Sequence, residues 1–306
     1  MSDPRPIGVF DSGVGGLTVL REMLRRSPQE STIYLGDNAR APYGTRPDDE
    51  VVAFSTEALD ALADRDVKAI VVACNTSTAV ALGHFRRRYD LPILGVVRPG
   101  AVTAALTTRN RRVGVIATPA TVRSRAYFSA IKDENPAVEV YEHATPAFVP
   151  LVEAGLLSGP DVEATVAESL APLLGERDAA GEFVFPLPAS ARIDTLLLGC
   201  THYPLLQAVI AKVTGDRVAI VDSATATASA LSELLAINGL EAPGTTRGTA
   251  ADPGAGGHGA PDEATREPTH RQLTTGDVEA FRSVASRLFG DTFLDVEPVE
   301  LTKVAT

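Results

Sequence analysis

Two cysteines, Cys74 and Cys200, have the surroundings that chemistry requires. Each ends a short apolar run and opens a polar one. Val71-Val72-Ala73 runs into Cys74-Asn75-Thr76-Ser77-Thr78, and Leu197-Leu198-Gly199 into Cys200-Thr201-His202-Tyr203-Pro204. A sulfur at such a strand-to-helix turn lies beside helix N-terminal amides, which stabilise a thiolate and bind a carboxylate. A lone cysteine is more often an inert core residue. Two at matched places, both followed by hydrogen-bonding side chains, read better as reactive thiols.

Few reactions suit such a pair. A Cys-His hydrolase needs one nucleophile, a base and an orienting group. Cys200 and His202 are too close in sequence to assume that geometry, and Cys74 would stand idle. A metal site needs clustered ligands, whereas these thiols are far apart and the chain has only 5 histidines. The Cys-x-x-Cys spacing of a redox pair is absent. Two-base proton transfer fits better, because inverting a stereocentre needs one group to remove a proton and another to deliver one from the opposite face. A thiol suits both tasks, since its pKa of about 8.5 can be brought toward working pH by its neighbours.

Asp11, in Phe10-Asp11-Ser12-Gly13-Val14-Gly15-Gly16, reads on its own as a cap or turn residue. The glycines do not form the dinucleotide fingerprint, and no phosphate loop ending in Gly-Lys-Ser/Thr exists. No nicotinamide, flavin or nucleotide cofactor is therefore expected. Ala41-Pro42-Tyr43-Gly44 reads as a turn with a packed tyrosine.

The elements that must position these residues alternate. Ile7-Gly8-Val9-Phe10, Thr32-Ile33-Tyr34-Leu35 and Ala69 to Ala73 are strand runs. Helical spacing begins at Leu17 and spans Val51 to Leu62. Such alternation predicts βαβ units and a mostly parallel sheet. The scheme repeats. Val113 to Thr118 resembles Ile7 to Ser12, and Leu197 to His202 resembles Val71 to Thr76. Both cysteines then fall at the strand edge where open α/β sheets bind ligands. The fold expected is two pseudo-symmetric, doubly wound α/β domains with mostly parallel sheets and the site in the cleft between them. One domain is drawn over 1–97 plus 208–306, the other over 98–207. Pro243 to Arg271 holds no Val, Ile, Leu, Met or aromatic residue and is expected to be a flexible linker. Gly175 to Arg192 reads as a surface excursion. A helix bearing Val278, Phe281, Val284 and Leu288 follows, and an edge strand near Val296 to Leu301 ends the chain.

At 306 residues and 44% apolar, the chain can bury a sizeable core. Its formal charge of -11 disfavours nucleic acid, and the densest basic cluster, Arg86-Arg87-Arg88, lacks interleaved aromatics and reads as a solvated helix face. Two cysteines make no disulfide framework, no secretory signal opens the chain, and no apolar run approaches a membrane span of roughly 20 residues. A cytoplasmic protein without membrane or nucleic-acid partners is expected.

Taken together, four segments resemble the glutamate racemases of the cofactor-independent aspartate/glutamate racemase superfamily. They are Phe10 to Val19, Asp37-Asn38 with Pro42-Tyr43-Gly44, Ala73-Cys74-Asn75-Thr76, and Leu198 to Leu205. The likeness runs from about Ile7 to Asp222 and resumes at Thr275-Gly276-Asp277. It implies interconversion of L- and D-glutamate with no cofactor or metal, supplying D-glutamate for peptidoglycan. It implies that Cys200 deprotonates L-glutamate while Cys74 protonates the carbanion, with the roles exchanged in reverse. Asp11 would assist Cys74, and His202 would assist Cys200. Asp11, Ser12, Pro42, Tyr43, Gly44, Asn75, Thr76, Thr201 and His202 would bind glutamate, with Thr118 and Thr121 joining at a carboxylate. Glu153 matches the family's carboxylate that orients the histidine. Family members form dimers in more than one arrangement, so a homodimer is an expectation here. Segments 175–192 and 243–271 have no counterpart in the family pattern. The competing readings are a racemase for aspartate or another amino acid, and a binding protein that keeps the fold without turnover.

Overall fold

Short apolar runs become strands here because helices cover both faces of each sheet. The structure is a computed structural model and describes residues 2–174, 192–244 and 267–302, with the backbone of 176–177 and 183–184. Its strands are, in chain order, β1 (Ile7–Asp11), β2 (Thr32–Gly36), β3 (Ala69–Val72), β4 (Ile93–Gly95), β5 (Arg112–Ala117) and β6 (Glu139–Ala144). There follow β7 (Glu176–Arg177), β8 (Phe183–Val184), β9 (Thr195–Gly199), β10 (Ala219–Asp222), β11 (His270–Thr274) and β12 (Val296–Pro298).

One sheet has the order β12-β11-β2-β1-β3-β4 and the other β10-β9-β5-β6. Every pairing within these two sheets is parallel, and only the small β7-β8 pair is antiparallel. The run β2-β1-β3-β4 repeats as β6-β5-β9-β10, which is the internal repeat read from the sequence. In both, the chain crosses from one side of a central strand to the other, making the switch point where α/β sheets bind ligands. Side chains alternate between cores. In β1, Ile7 and Val9 enter one core and Phe10 the other; in β9, Leu196 and Leu198 face one core and Leu197 the opposite one.

The helices follow their sequence signals. Leu17–Arg26 buries Leu17, Val19, Leu20 and Met23 and ends in Arg25 and Arg26, cations suited to a helix C-terminus. Asn75–Arg88 ends in Arg86, Arg87 and Arg88, all exposed. Arg88 pairs with Asp60, so the basic triplet is the solvated face expected.

Several expectations need correction. The second sheet takes in β10, so the boundary drawn at 207/208 falls inside its chain. The return to the first sheet comes after Asp222, where helix Ser223–Asn238 sends Ala224, Ala228, Leu231 and Leu235 into that sheet's core. His270 and Arg271, assigned to the flexible stretch, are in β11. That strand carries one large apolar residue, Leu273, and is held by polar matches instead. His270 Nδ1 lies 3.1 Å from Thr32 Oγ1, and Thr274 donates to Asn38 Oδ1. Strand β6, also unforeseen, is a sheet edge with charged residues, so it lacks the apolar signal of buried strands. Residues 245–266 of the flexible stretch and most of the 175–192 excursion lie outside the described residues. Among the described residues no helix is long and apolar enough to cross a membrane.

Candidate active site

Cys74 follows the end of β3 and Cys200 follows the end of β9, equivalent points of the two repeats. A single cleft between the halves contains both. The first half lines it with Ser12, Gly13, Ala41, Pro42, Tyr43, Gly44, Cys74, Asn75 and Thr76; the second with Thr118, Val149, Glu153, Cys200, Thr201 and His202. The two halves are drawn close together here, and the space between them is about 30 Å³, room for a water or two.

In the first half, the backbone N–H groups of Ala73 and Cys74 both donate to the Phe10 carbonyl, tying the end of β3 to β1. Cys74 caps its helix, accepting from Ser77 N at 3.4 Å, and its thiol donates to Ser12 Oγ at 3.5 Å. Asp11 is fully buried behind this group and accepts from Gly13 N at 3.0 Å. In the second half, Cys200 Sγ lies 3.8 Å from His202 Nδ1, and His202 Nε2 lies 3.2 Å from Glu153 Oε1.

Between them, three hydroxyls meet. Thr76 Oγ1 is 3.0 Å from Thr118 Oγ1 and 3.4 Å from Thr121 Oγ1, and Thr118 is 3.0 Å from Thr121. Asn75 Nδ2 donates to Tyr127 and Ser223, while its buried Oδ1 has no protein partner among the described residues. The 41–44 turn contains a cis Ala41–Pro42 peptide. Its Gly44 carbonyl accepts from Ala120 N at 2.9 Å, and a Cβ on Gly44 would come within 2.7 Å of Thr118.

Most residues named from the sequence therefore line the cleft, with two exceptions. Asp11 and Thr121 sit behind its wall, fully buried, Asp11 with one carboxylate oxygen on the glycine turn and Thr121 in the threonine cluster. Tyr43 reaches the cleft, yet its hydroxyl is committed to Asp37. Asp37 also accepts from Arg40 Nε at 2.7 Å and Thr275 Oγ1 at 2.6 Å. Gly13, Ala41 and Val149 line the cleft without having been named. Tyr34, which donates to the Gly13 carbonyl at 2.7 Å, and Tyr127 support it from behind. Long-range hydrogen bonds leave no local pattern, so only the glycine run could have pointed to Gly13.

The two thiols differ electrostatically. Burial, reinforced by Asp11, pushes Cys74 up to about 11 despite hydrogen bonds with Ser77 and Ser12. Burial would lower His202. The hydrogen bonds with Cys200 and Glu153, with Asp11 adding its charge, instead raise it to about 10. Burial also raises Asp11, opposed by His202 and by backbone N–H groups of the glycine turn. One sulfur thus stands beside a carboxylate in a buried site, and the other faces an imidazolium. Among the described residues, no three of His, Cys, Asp and Glu gather as metal ligands.

Two repeated α/β halves each bring a thiol to one cleft from the end of an equivalent strand. The family model for Asp/Glu/Hydantoin racemases matches residues 7–231, and the chain belongs to that family. The glutamate racemase of Oceanobacillus iheyensis is 38% identical over 302 residues, covering 99% of this chain and 98% of the relative. Among solved structures, glutamate racemase isoform RacE1 from Bacillus anthracis superposes with a TM-score of 0.83 at 37% identity, covering 97% of this chain and 98% of that one. Glutamate racemase from Francisella tularensis, solved with D-glutamate, does so with a TM-score of 0.78 at 33% identity and the same coverage. The superfamily and the two-sheet α/β architecture read from the sequence are both borne out.

Proposed function

We propose that this protein interconverts L- and D-glutamate by moving protons between Cα and two thiols, without a cofactor. The observation that carries this reading is that Cys74 and Cys200 line one small cleft from equivalent strand ends. The substrate is taken from relatives that carry the name glutamate racemase over nearly the whole chain. Cys200, as thiolate facing the His202 imidazolium, takes the Cα proton of L-glutamate. Cys74, held as a thiol, delivers its proton to the opposite face. The product is D-glutamate, with the proton inventory of the two sulfurs exchanged, and the same steps run backward from D-glutamate.

A Cα proton is weakly acidic, so charge developing on the substrate carboxylate must be met by preorganised donors. Thr76, Thr118 and Thr201 supply hydroxyls, and the helix starting at Asn75 presents its N-terminal amides. The unpartnered Asn75 Oδ1 is an acceptor for the substrate ammonium. Burial, reinforced by Asp11 behind it, keeps Cys74 protonated, and Glu153 holds His202 in place. We propose further that the enzyme works in the cytoplasm and that its D-glutamate feeds peptidoglycan.

Proton NMR of L-glutamate in D2O with the purified protein tests the chemistry. Loss of the Cα signal with appearance of D-glutamate, abolished in both Cys74→Ser and Cys200→Ser, is the expected result. An intact protein that leaves the Cα proton in place would sink the reading, and aspartate in the same assay would identify the alternative substrate. Depletion in the source cell, rescued by external D-glutamate, tests the cell-wall role.

A further inference from the structure

Thr18 lies in the first turn of helix Leu17–Arg26 and is buried. Its Oγ1 is 2.9 Å from the Gly15 carbonyl and 3.0 Å from the Thr201 carbonyl. A hydroxyl has one hydrogen, which is therefore shared between a local acceptor and one from the other half of the molecule. The bond to Gly15 is the ordinary back-bond of a helical threonine. The bond to Thr201 spans 183 residues and reaches the position directly after Cys200. A second contact lies beside it, since a Cβ on Gly15 would come within 2.5 Å of both Thr201 Oγ1 and His202 Nδ1. The Thr201 carbonyl belongs to the peptide that joins Thr201 to His202. Holding it sets the plane from which the imidazole is aimed at the Cys200 sulfur, 3.8 Å away.

We propose that Thr18 is a positioning residue that docks the Cys200-Thr201-His202 turn onto the glycine loop of the first half and so governs one of the two proton transfers. The inference rests on the two-thiol reading above. Cys74 is held by other side chains, Ser12 and Ser77, so removing the Thr18 hydroxyl acts chiefly on the Cys200 side.

The test exploits that asymmetry. When the Cys200 step slows, L-[2-2H]glutamate, whose deuteron Cys200 removes, shows a larger primary isotope effect on kcat/KM. D-[2-2H]glutamate, whose deuteron Cys74 removes, shows a smaller one. Thr18→Val, which deletes the hydroxyl at nearly constant volume, is expected to lower kcat/KM by roughly tenfold, the scale of one lost buried hydrogen bond. Its two isotope effects should move apart, and Thr18→Ser should restore both rate and symmetry. If Thr18→Val does not fold by thermal melting, Thr18→Ala, which suits a helix, gives the same reading. Isotope effects that keep the wild-type ratio, or a serine variant that fails to rescue, overturn the proposal. A wild-type protein that never exchanges the Cα proton overturns the two-thiol reading instead, so the two failures are distinguishable.

Discussion

Gly15 and His202 meet across the cleft so closely that a Cβ on the glycine would stand 2.5 Å from the imidazole Nδ1 and 2.6 Å from Cε1. Neither strained backbone nor a left-handed turn requires a glycine at this point; the opposing half of the molecule does. Gly15→Ala must push back the ring that faces Cys200. A misplacement near 1 Å at a reacting group can lower kcat/KM by roughly 10²-fold, and a loss of that size is expected with the protein still folded. Kinetics and a thermal melt on the same sample check it, and near wild-type kcat/KM would show that the contact yields without consequence.

The histidine also sets a pH dependence. Its folded pKa of about 10 lies above the ordinary 6.5, so the folded protein holds this proton more tightly than the unfolded chain. The stabilisation is complete below 6.5 and is lost as pH rises through about 10. The alkaline limb of kcat/KM should follow loss of the imidazolium, and Glu153→Gln should move that limb to lower pH by removing one of the groups that hold the proton. A pH profile unchanged in Glu153→Gln would remove Glu153 from this role.

Tyr43→Phe removes the hydroxyl that Asp37 accepts, leaving the buried carboxylate with Arg40 and Thr275. A buried acceptor deprived of a donor costs about 1–3 kcal/mol, and the 41–44 turn loses its anchor. A lower melting temperature and a raised KM with kcat largely kept are expected. A fall in kcat at constant KM would mean that the hydroxyl acts in the chemistry rather than in holding the turn.

Away from the site, Lys68 is a fully buried cation whose Nζ lies 2.5 Å from Glu30 Oε2 and donates to the Asp3 carbonyl at 2.8 Å. Glu30 in turn accepts from Ala242 N, so the pair clasps the N-terminal segment and the stretch after helix Ser223–Asn238. Breaking such a pair from one side leaves an uncompensated charge and costs about 3–5 kcal/mol. Lys68→Met should lower stability to that degree in denaturant titration while kcat/KM at low temperature stays unchanged. Unchanged stability would show that desolvation cancels the attraction.

The sequence by itself determined the strands that carry the site. Strands buried on both faces are apolar along most of their length, so β1, β3, β5 and β9 are legible as near-continuous runs. It also located both thiols, because a polar residue directly after such a run sits at a sheet edge whatever the details of packing. Strands β6 and β11 were hidden by their charged and polar residues, whose reasons for being there are an edge position in one case and matched partners in the other.

Only the tertiary structure decided what the thiols experience. From the sequence, helix amides would favour a thiolate at Cys74; in the folded protein, burial and Asp11 outweigh them and hold the thiol protonated. The contacts of Thr18 with Thr201, Gly15 with His202, and Tyr43 with Asp37 were equally out of reach. Local spacing records which face of an element a residue occupies. Desolvation and cross-domain hydrogen bonds depend on what the rest of the chain brings to that face, and this exists only once the two halves have closed on each other.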